Sequence, residues 1–315
     1  MADDSADEGV LDPLVTAHFE ANPFHAQTIP LQDMTPEILA LARGPEMEPS
    51  TRPIATVTDD VVDGVPIRIY RHDTPPTGVV VYFHGGGYCI GSIGLMDNVA
   101  REIAHAAHAT VVSVGYRLAP EDPYPAGLDD CEAITRWALA HATDLGGVPA
   151  RVAVAGESAG GNLSAAVTLR LRGSGEVPLA GQVLMYPGTD ADSWDHASRR
   201  EFDGIVLNRS VMEGYWQAYS GGRDLARDQY AAPLQADSLA DLPPALVILG
   251  GCDLLRDEGR AYARRLAESD VPVDEICYAG QPHGFVNFGL PAADEAFTLM
   301  GTWLVDAFER AGGAP

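Results

Sequence analysis

The chain has 315 residues and a mass of 33.4 kDa, with 45 Asp and Glu against 20 Lys and Arg, giving a formal charge of −25 and a pI near 4.5. All 20 cations are arginine, which excludes a P-loop lysine, a pyridoxal-phosphate Schiff base and a Ser–Lys catalytic pair. The acid surplus argues against nucleic acid or an anionic bilayer as a partner, because both select a cationic face.

With 46% hydrophobic and 21% charged residues, the composition is that of a soluble globular protein with one large core or two modest ones. Cysteines 89, 131, 252 and 277 show no CxxC spacing and no histidine cluster joins them, so buried thiols are expected and no metal site. The first eight residues lack the basic start and apolar core of a signal peptide, and no apolar run is long enough to span a bilayer. A cytoplasmic location without stable membrane anchoring is the expectation.

In chain order, Leu11–Ala21 and Pro36–Arg43 read as short helices broken by Asn22-Pro23 and Pro30. Between Ala55 and Arg71 two alternating stretches flank Asp63-Gly64, which predicts an antiparallel hairpin. From Gly78 onward, short apolar runs alternate with helix-length amphipathic segments. The runs are Val79–Phe83, Thr110–Val114, Arg151–Ala155, Gln182–Tyr186, Ala245–Leu249 and Val273–Tyr278. The helices fall near Asp97–Ala109, Asp129–Ala142, Ala159–Leu171, Asp257–Glu268 and Ala292–Arg310. Runs without polar alternation, regularly interleaved with helices, predict a mostly parallel α/β sheet buried on both faces. Between Pro187 and Pro243 no comparable strand occurs, which predicts an insertion over the carboxyl edge of the sheet.

Two glycine-bearing motifs carry the chemistry. Gly156-Glu157-Ser158-Ala159-Gly160 stands where a strand passes into a helix, the setting of a nucleophile elbow. The pentapeptide alone arises by chance in roughly one chain in seven of this composition, so its position after a strand is what gives it weight. Upstream, His84-Gly85-Gly86-Gly87-Tyr88 directly follows Val79–Phe83 and offers backbone N–H groups suited to an oxyanion. Ile90 stands where the third glycine of a dinucleotide fingerprint belongs, so that site is disfavoured.

A serine nucleophile needs an imidazole base oriented by a carboxylate, in the order Ser, Asp or Glu, His for this architecture. Only His283 follows His196 in the chain. The acid precedes it in Asp253-Leu-Leu-Arg-Asp257-Glu258, with Asp253 the first choice because it leaves the strand earliest, and Asp257 the alternative.

With Tyr116-Arg-Leu-Ala-Pro-Glu121, Tyr124-Pro-Ala-Gly-Leu-Asp-Asp130, Asp253–Asp257 and His283-Gly-Phe285 added to the two motifs, the chain resembles the bacterial hormone-sensitive-lipase-like (family IV) esterases of the α/β-hydrolase fold. The resemblance runs from about Val79 to the C-terminus. It implies a mostly parallel sheet flanked by helices, a Ser158–Asp253–His283 triad, and an oxyanion hole from the amides of Gly85, Gly86 and Ala159. Residues 1–50 and a stretch around 188–240 would form a helical cap, with residues 51–315 otherwise the catalytic domain. The implied activity is hydrolysis of short- to medium-chain acyl or aryl esters without a cofactor, and the implied partner is a small-molecule ester. Members of the family often dimerise through the last strand and helix, here Val273–Arg310.

Phe24, Tyr88, Phe202, Leu207, Tyr215, Trp216 and Phe285 are candidate walls of the substrate pocket. His84 is expected to orient the oxyanion loop, and Arg117, Glu121 and Asp130 to form a buried network. Glu157 stands where the commoner subgroups carry Asp or Thr. The same constellation also accommodates amidase or lactonase chemistry, and a hydrolase-fold ligand receptor is the rival from another class.

Overall fold

A computed structural model describes residues 9–44, 52–174, 178–191 and 194–312. The acidic start and residues 45–50 of the expected cap lie outside the described residues.

An eight-stranded sheet runs through the described residues in the order β1-β2-β4-β3-β5-β6-β7-β8. Strands β1 (Thr56–Val62) and β2 (Val65–Arg71) form the hairpin across Asp63-Gly64, and β2 pairs antiparallel with β4 (Thr110–Val114). The turn has positive φ at both central residues, 50° and 86°, matching the right-handed twist of the flanking strands. From there β4, β3 (Val79–Phe83), β5 (Val152–Glu157), β6 (Gly181–Met185), β7 (Ala245–Gly250) and β8 (Val273–Tyr278) pair in parallel.

The period-2 alternation of each strand divides its side chains between two helical layers. Val80 and Tyr82 of β3 join Ala153 and Ala155 of β5 beneath α3 (Asp97–Ala107) and α9 (Pro291–Gly312). Val79, Val81 and Phe83 face the other way, onto α4 (Ala126–Ala140) and α5 (Ala159–Leu171). The same face continues under β7, where Val247 and Leu249 meet Tyr262 and Leu266 of α8 (Arg256–Glu268). Because β3 to β7 are covered on both sides, their sequences are mostly apolar, with Thr110, Ser113, Glu157 and Gln182 as buried exceptions.

Two expectations need correction. The run Val273–Tyr278 is an edge strand, not a doubly covered one: Asp274, Glu275 and Ile276 are exposed, which its Asp-Glu pair already signals. Helix α4 starts at Ala126 rather than Asp129, because Pro125 serves as its N-cap and Asp129 N–H already bonds Pro125 O, closing the first helical turn.

Over the carboxyl ends of the strands lie α1 (Pro13–Ala21), α2 (Pro36–Ala42), α6 (Ser198–Glu201) and α7 (Arg209–Ser220). The N-terminal stretch and the long interval meet where Thr28 N–H donates to Val206 O and Val206 N–H to Ala26 O. Phe202, Leu207, Val211 and Tyr215 then pack on Cys89 from the loop after β3 and on Cys252, Leu254 and Leu255 from the loop after β7.

A buried ion pair secures the start of that interval. Arg199 places Nη2 2.6 Å and Nε 2.7 Å from Glu258 Oε2, and Glu258 Oε1 accepts from Thr189 N–H at 2.8 Å and Asp190 N–H at 3.2 Å. Burial pushes the Glu258 carboxyl up while Arg199 pulls it back, and the backbone donors assist Arg199. Glu258→Ala leaves a fully buried guanidinium without its anion and is expected to cost about 3–5 kcal/mol. A shift of the urea midpoint at unchanged slope is the measurement.

Candidate active site

The site begins at the turn between β5 and α5. Ser158 has φ 55° and ψ −118°, a conformation costly for an L-residue with a side chain. The turn is held from both sides: Ser158 N–H bonds Met185 O on β6 at 2.9 Å, and Gly160 sits so close to β3 that an added Cβ would lie 2.0 Å from Phe83 O. Only a residue without Cβ permits that approach.

Two loops bring the remaining groups to the serine. His283 Nε2 lies 2.9 Å from Ser158 Oγ, and His283 Nδ1 lies 2.8 Å from Asp253 Oδ2. The other oxygen of Asp253 accepts Leu255 N–H at 2.9 Å, and the carboxylate is fully buried. Of the two acids considered, Asp253 is the one that meets the imidazole. Asp257 instead accepts Ser198 N–H and pairs with Arg256.

After β3, Gly86 has φ 117°, and its carbonyl closes a tight turn by accepting from Cys89 and Ile90 N–H. His84 Nδ1 lies 2.7 Å from Gly85 O, its ring stacks on Tyr116 at 4.3 Å, and Tyr116 Oη donates to His84 O. Burial pushes the His84 imidazole down, so it remains a neutral support of this loop. Ala159 N–H belongs to the first turn of α5, where helical geometry supplies no internal acceptor.

A cavity of about 190 Å³ opens over Ser158 and is lined by Gly85, Gly86, Ala159 and His283 below. Tyr88, Leu207, Tyr215 and Trp216 are in its wall. Three other wall candidates are not. Phe24 is 91% exposed, Phe202 is packed among Leu207 and Leu255 with Arg256 over its ring, and Phe285 lies in the main core against Tyr186 and Tyr278. Large apolar side chains in loops were the only signal for those three, and size does not distinguish a wall from the packing behind it.

The cavity also takes residues the sequence reading passed over: Thr28, Ile90, Met96, Met212, Asp190, Leu255 and Asn287. Met212 could have been found from its i,i+4 spacing to Trp216 on α7. Thr28 and Asn287 carry no such pattern. Of the polar trio expected to form one buried network, Arg117 pairs with Asp130 but is half exposed, and Glu121 is exposed and pairs with Arg43 instead.

Among the described residues, no group of three or more His, Cys, Asp or Glu is arranged to hold a metal, and no helix is long and apolar enough to cross a membrane. Cys89, Cys131 and Cys252 are buried and Cys277 half-buried. Burial pushes the Cys252 thiol up to about 11 despite nearby Arg256, so its place beside Asp253 does not make it a thiolate.

The family model described as the alpha/beta hydrolase fold matches residues 80–287. The chain belongs to that family. It is 43% identical over 264 residues to carboxylesterase NlhH of Mycobacterium tuberculosis, covering 80% of this chain and 82% of that one. The arylesterase of Saccharolobus solfataricus is 36% identical over 277 residues, 87% of this chain and 89% of its own. The solved structure of a hyperthermophilic esterase from the archaeon Pyrobaculum calidifontis superposes with a TM-score of 0.85 at 34% identity, covering 94% of this chain and 98% of that one. These relatives place the α/β-hydrolase described here in its hormone-sensitive-lipase-like branch.

On the cavity wall, Asp190 Oδ2 lies 3.0 Å from His196 Nε2, and Asp190 Oδ1 accepts from Gln235 Nε2 and Ala191 N–H. Burial pushes the Asp190 carboxyl up, but these hydrogen bonds outweigh it and leave the group lowered; the bond to Asp190 raises His196 above 6.5. A raised imidazole stabilises the fold fully below its unfolded value, and that contribution disappears as pH rises through the folded value. The lowered carboxyl contributes above its ordinary range and ceases to do so as pH falls through its folded value. The wild-type advantage over His196→Gln in thermal midpoint is therefore expected to be larger at pH 5.5 than at pH 8.5.

Proposed function

We propose that this carboxylic ester hydrolase works through an acyl-enzyme on Ser158, with His283 as general base and acid and Asp253 as its orienting carboxylate. Ser158 Oγ attacks the ester carbonyl as His283 Nε2 takes its proton. The amides of Gly85, Gly86 and Ala159 receive the charge that develops on oxygen. The imidazolium, stabilised by Asp253, then protonates the departing alcohol, and a water activated by the same nitrogen releases the acid. No metal or organic cofactor enters these steps.

The observation that carries this reading is the unbroken relay of 2.9 Å and 2.8 Å from Ser158 through His283 to Asp253. It favours an enzyme over a ligand receptor, which has no need of an oriented imidazole on a strained serine. The names of the relatives point the same way.

The substrates proposed are short- to medium-chain acyl or aryl esters, because the cavity is small and mostly apolar, with aromatic rings from Tyr88, Tyr215 and Trp216. Residues 1–50 with part of 188–240 are proposed as the cap, since Thr28 and Leu207 enter the cavity wall from those two stretches. Association of two copies through the exposed edge β8 and α9 remains a proposal of the resemblance.

Ser158→Ala is expected to abolish covalent labelling by an organophosphonate and to lower turnover at least about a thousandfold. Labelling of the variant at another serine, seen by peptide mass spectrometry, would overturn the assignment.

Across p-nitrophenyl esters of increasing acyl length, kcat/KM is expected to peak at short to medium chains. Trp216→Ala, which removes bulk from the wall, is expected to move that peak toward longer chains. An unchanged profile would take Trp216 out of the wall that limits substrate size.

A further inference from the structure

The carboxylate of Glu157 is buried beside the serine and has no part in the relay. It ends β5, one residue before Ser158, and lines the cavity while only 2% exposed. Oε1 accepts from Tyr82 Oη at 2.8 Å, and Oε2 accepts from Tyr186 Oη at 2.7 Å and from Asn287 Nδ2 at 2.8 Å. Burial first, and the Glu157 charge next, push both phenols well up, so they stay O–H donors.

Each donor leads to another part of the site. Tyr82 lies two residues before His84 on β3. Tyr186 sets its ring edge-on to the His283 imidazole, with centroids 4.9 Å apart and planes at 66°. Asn287 also donates to Gly284 O at 3.3 Å, closing the turn directly after His283. A Cβ at Gly85 would lie 3.1 Å from Glu157 Cγ, so the same side chain supports the oxyanion loop from beneath.

We propose that Glu157 is a positioning residue: its carboxylate, through Tyr186 and Asn287, fixes the imidazole ring and the loop of His283 relative to Ser158. The proposal rests on the serine-hydrolase reading above. Asp253 holds only one ring nitrogen, so the imidazole can still swing about the Nδ1 bond. The Tyr186 ring edge and the Asn287-closed turn remove that freedom, and both are held by one acceptor-only group on the nucleophile's own strand. A displacement of 1 Å at reacting atoms can cost about a hundredfold in rate.

The test is a double-mutant cycle on Glu157→Gln and Asn287→Ala with p-nitrophenyl acetate. The Gln amide turns one acceptor into a donor that faces other donors. Each single variant is expected to lower kcat about 10- to 100-fold with KM changed less than about threefold. The double variant should be no slower than the slower single, because Glu157 acts on the His283 loop through Asn287.

Wild-type kcat in Glu157→Gln, or losses that multiply in the double variant, would overturn the proposal. If Glu157→Gln does not fold, Tyr186→Phe and Asn287→Ala each remove one donor and decide instead: a kcat loss at near-normal KM in both is expected, and normal kcat in either overturns it. Stoichiometric phosphonate labelling of Ser158 in these variants separates this failure from a failure of the serine assignment, which the Ser158→Ala control reports alone.

Discussion

The site depends on the register of the parallel strands. Phe83 stands opposite Gly156, Glu157 opposite Met185, and Gly250 opposite Tyr278. The carboxyl ends of β3, β5, β7 and β8 therefore step along one edge of the sheet by no more than one or two residues from strand to strand, and the loops carrying Gly85, Ser158, Asp253 and His283 emerge together. A slip of one residue in any pair would turn a strand's inward set outward and carry one of these loops away from the others. The buried valines and leucines that enforce the register thus control distances of 2.8–2.9 Å at the relay.

Much of this was legible in the sequence, for identifiable reasons. Val79–Phe83, Thr110–Val114 and Ala159–Leu171 have the limits read from the pattern, because a doubly buried strand and a helix begun by a glycine-bounded serine leave sharp edges. The elbow motif pointed to Ser158, chain order to His283, and the exit from the strand to Asp253 ahead of Asp257; the fold brings Ser158, His283 and Asp253 together. The wall was less legible. Phe24, Phe202 and Phe285 are as large and apolar as Trp216, and which of them faces a cavity is decided by the course of irregular segments that have no period. Glu157 departs from the Asp or Thr of the commoner subgroups, yet its three donors come from positions 82, 186 and 287, and no local spacing announces such a meeting.

The absence of lysine has a structural counterpart in how the arginines are used. Arg43, closing α2, donates to Cys89 O, Ala119 O and both oxygens of Glu121, tying the N-terminal helices to the loops after β3 and β4. Arg52 grips Glu102 with two nitrogens, and Arg68 joins Asp59 and Asp97. Each geometry uses the planar fork of guanidinium, which an ammonium cannot reproduce. Among the described residues the buried carboxylates are Asp97, Asp130, Glu157, Asp253 and Glu258, and the other described acids are exposed or half-buried.

The described chain also closes on itself late. Asp12 N–H bonds Gly280 O, three residues before His283, and His18 and His25 stack on Phe288, five residues after it. During synthesis, β6, which holds the Ser158 elbow through Met185 O, is made well before His283, whereas Asp12, His18 and His25 lack these partners until the chain reaches Gly280 and Phe288. A chain that stops before Gly280 therefore carries Ser158 without His283, and an N-terminal segment without its contacts to Gly280 and Phe288. The order in which the polypeptide is built withholds the assembled relay until nearly the whole sequence is present.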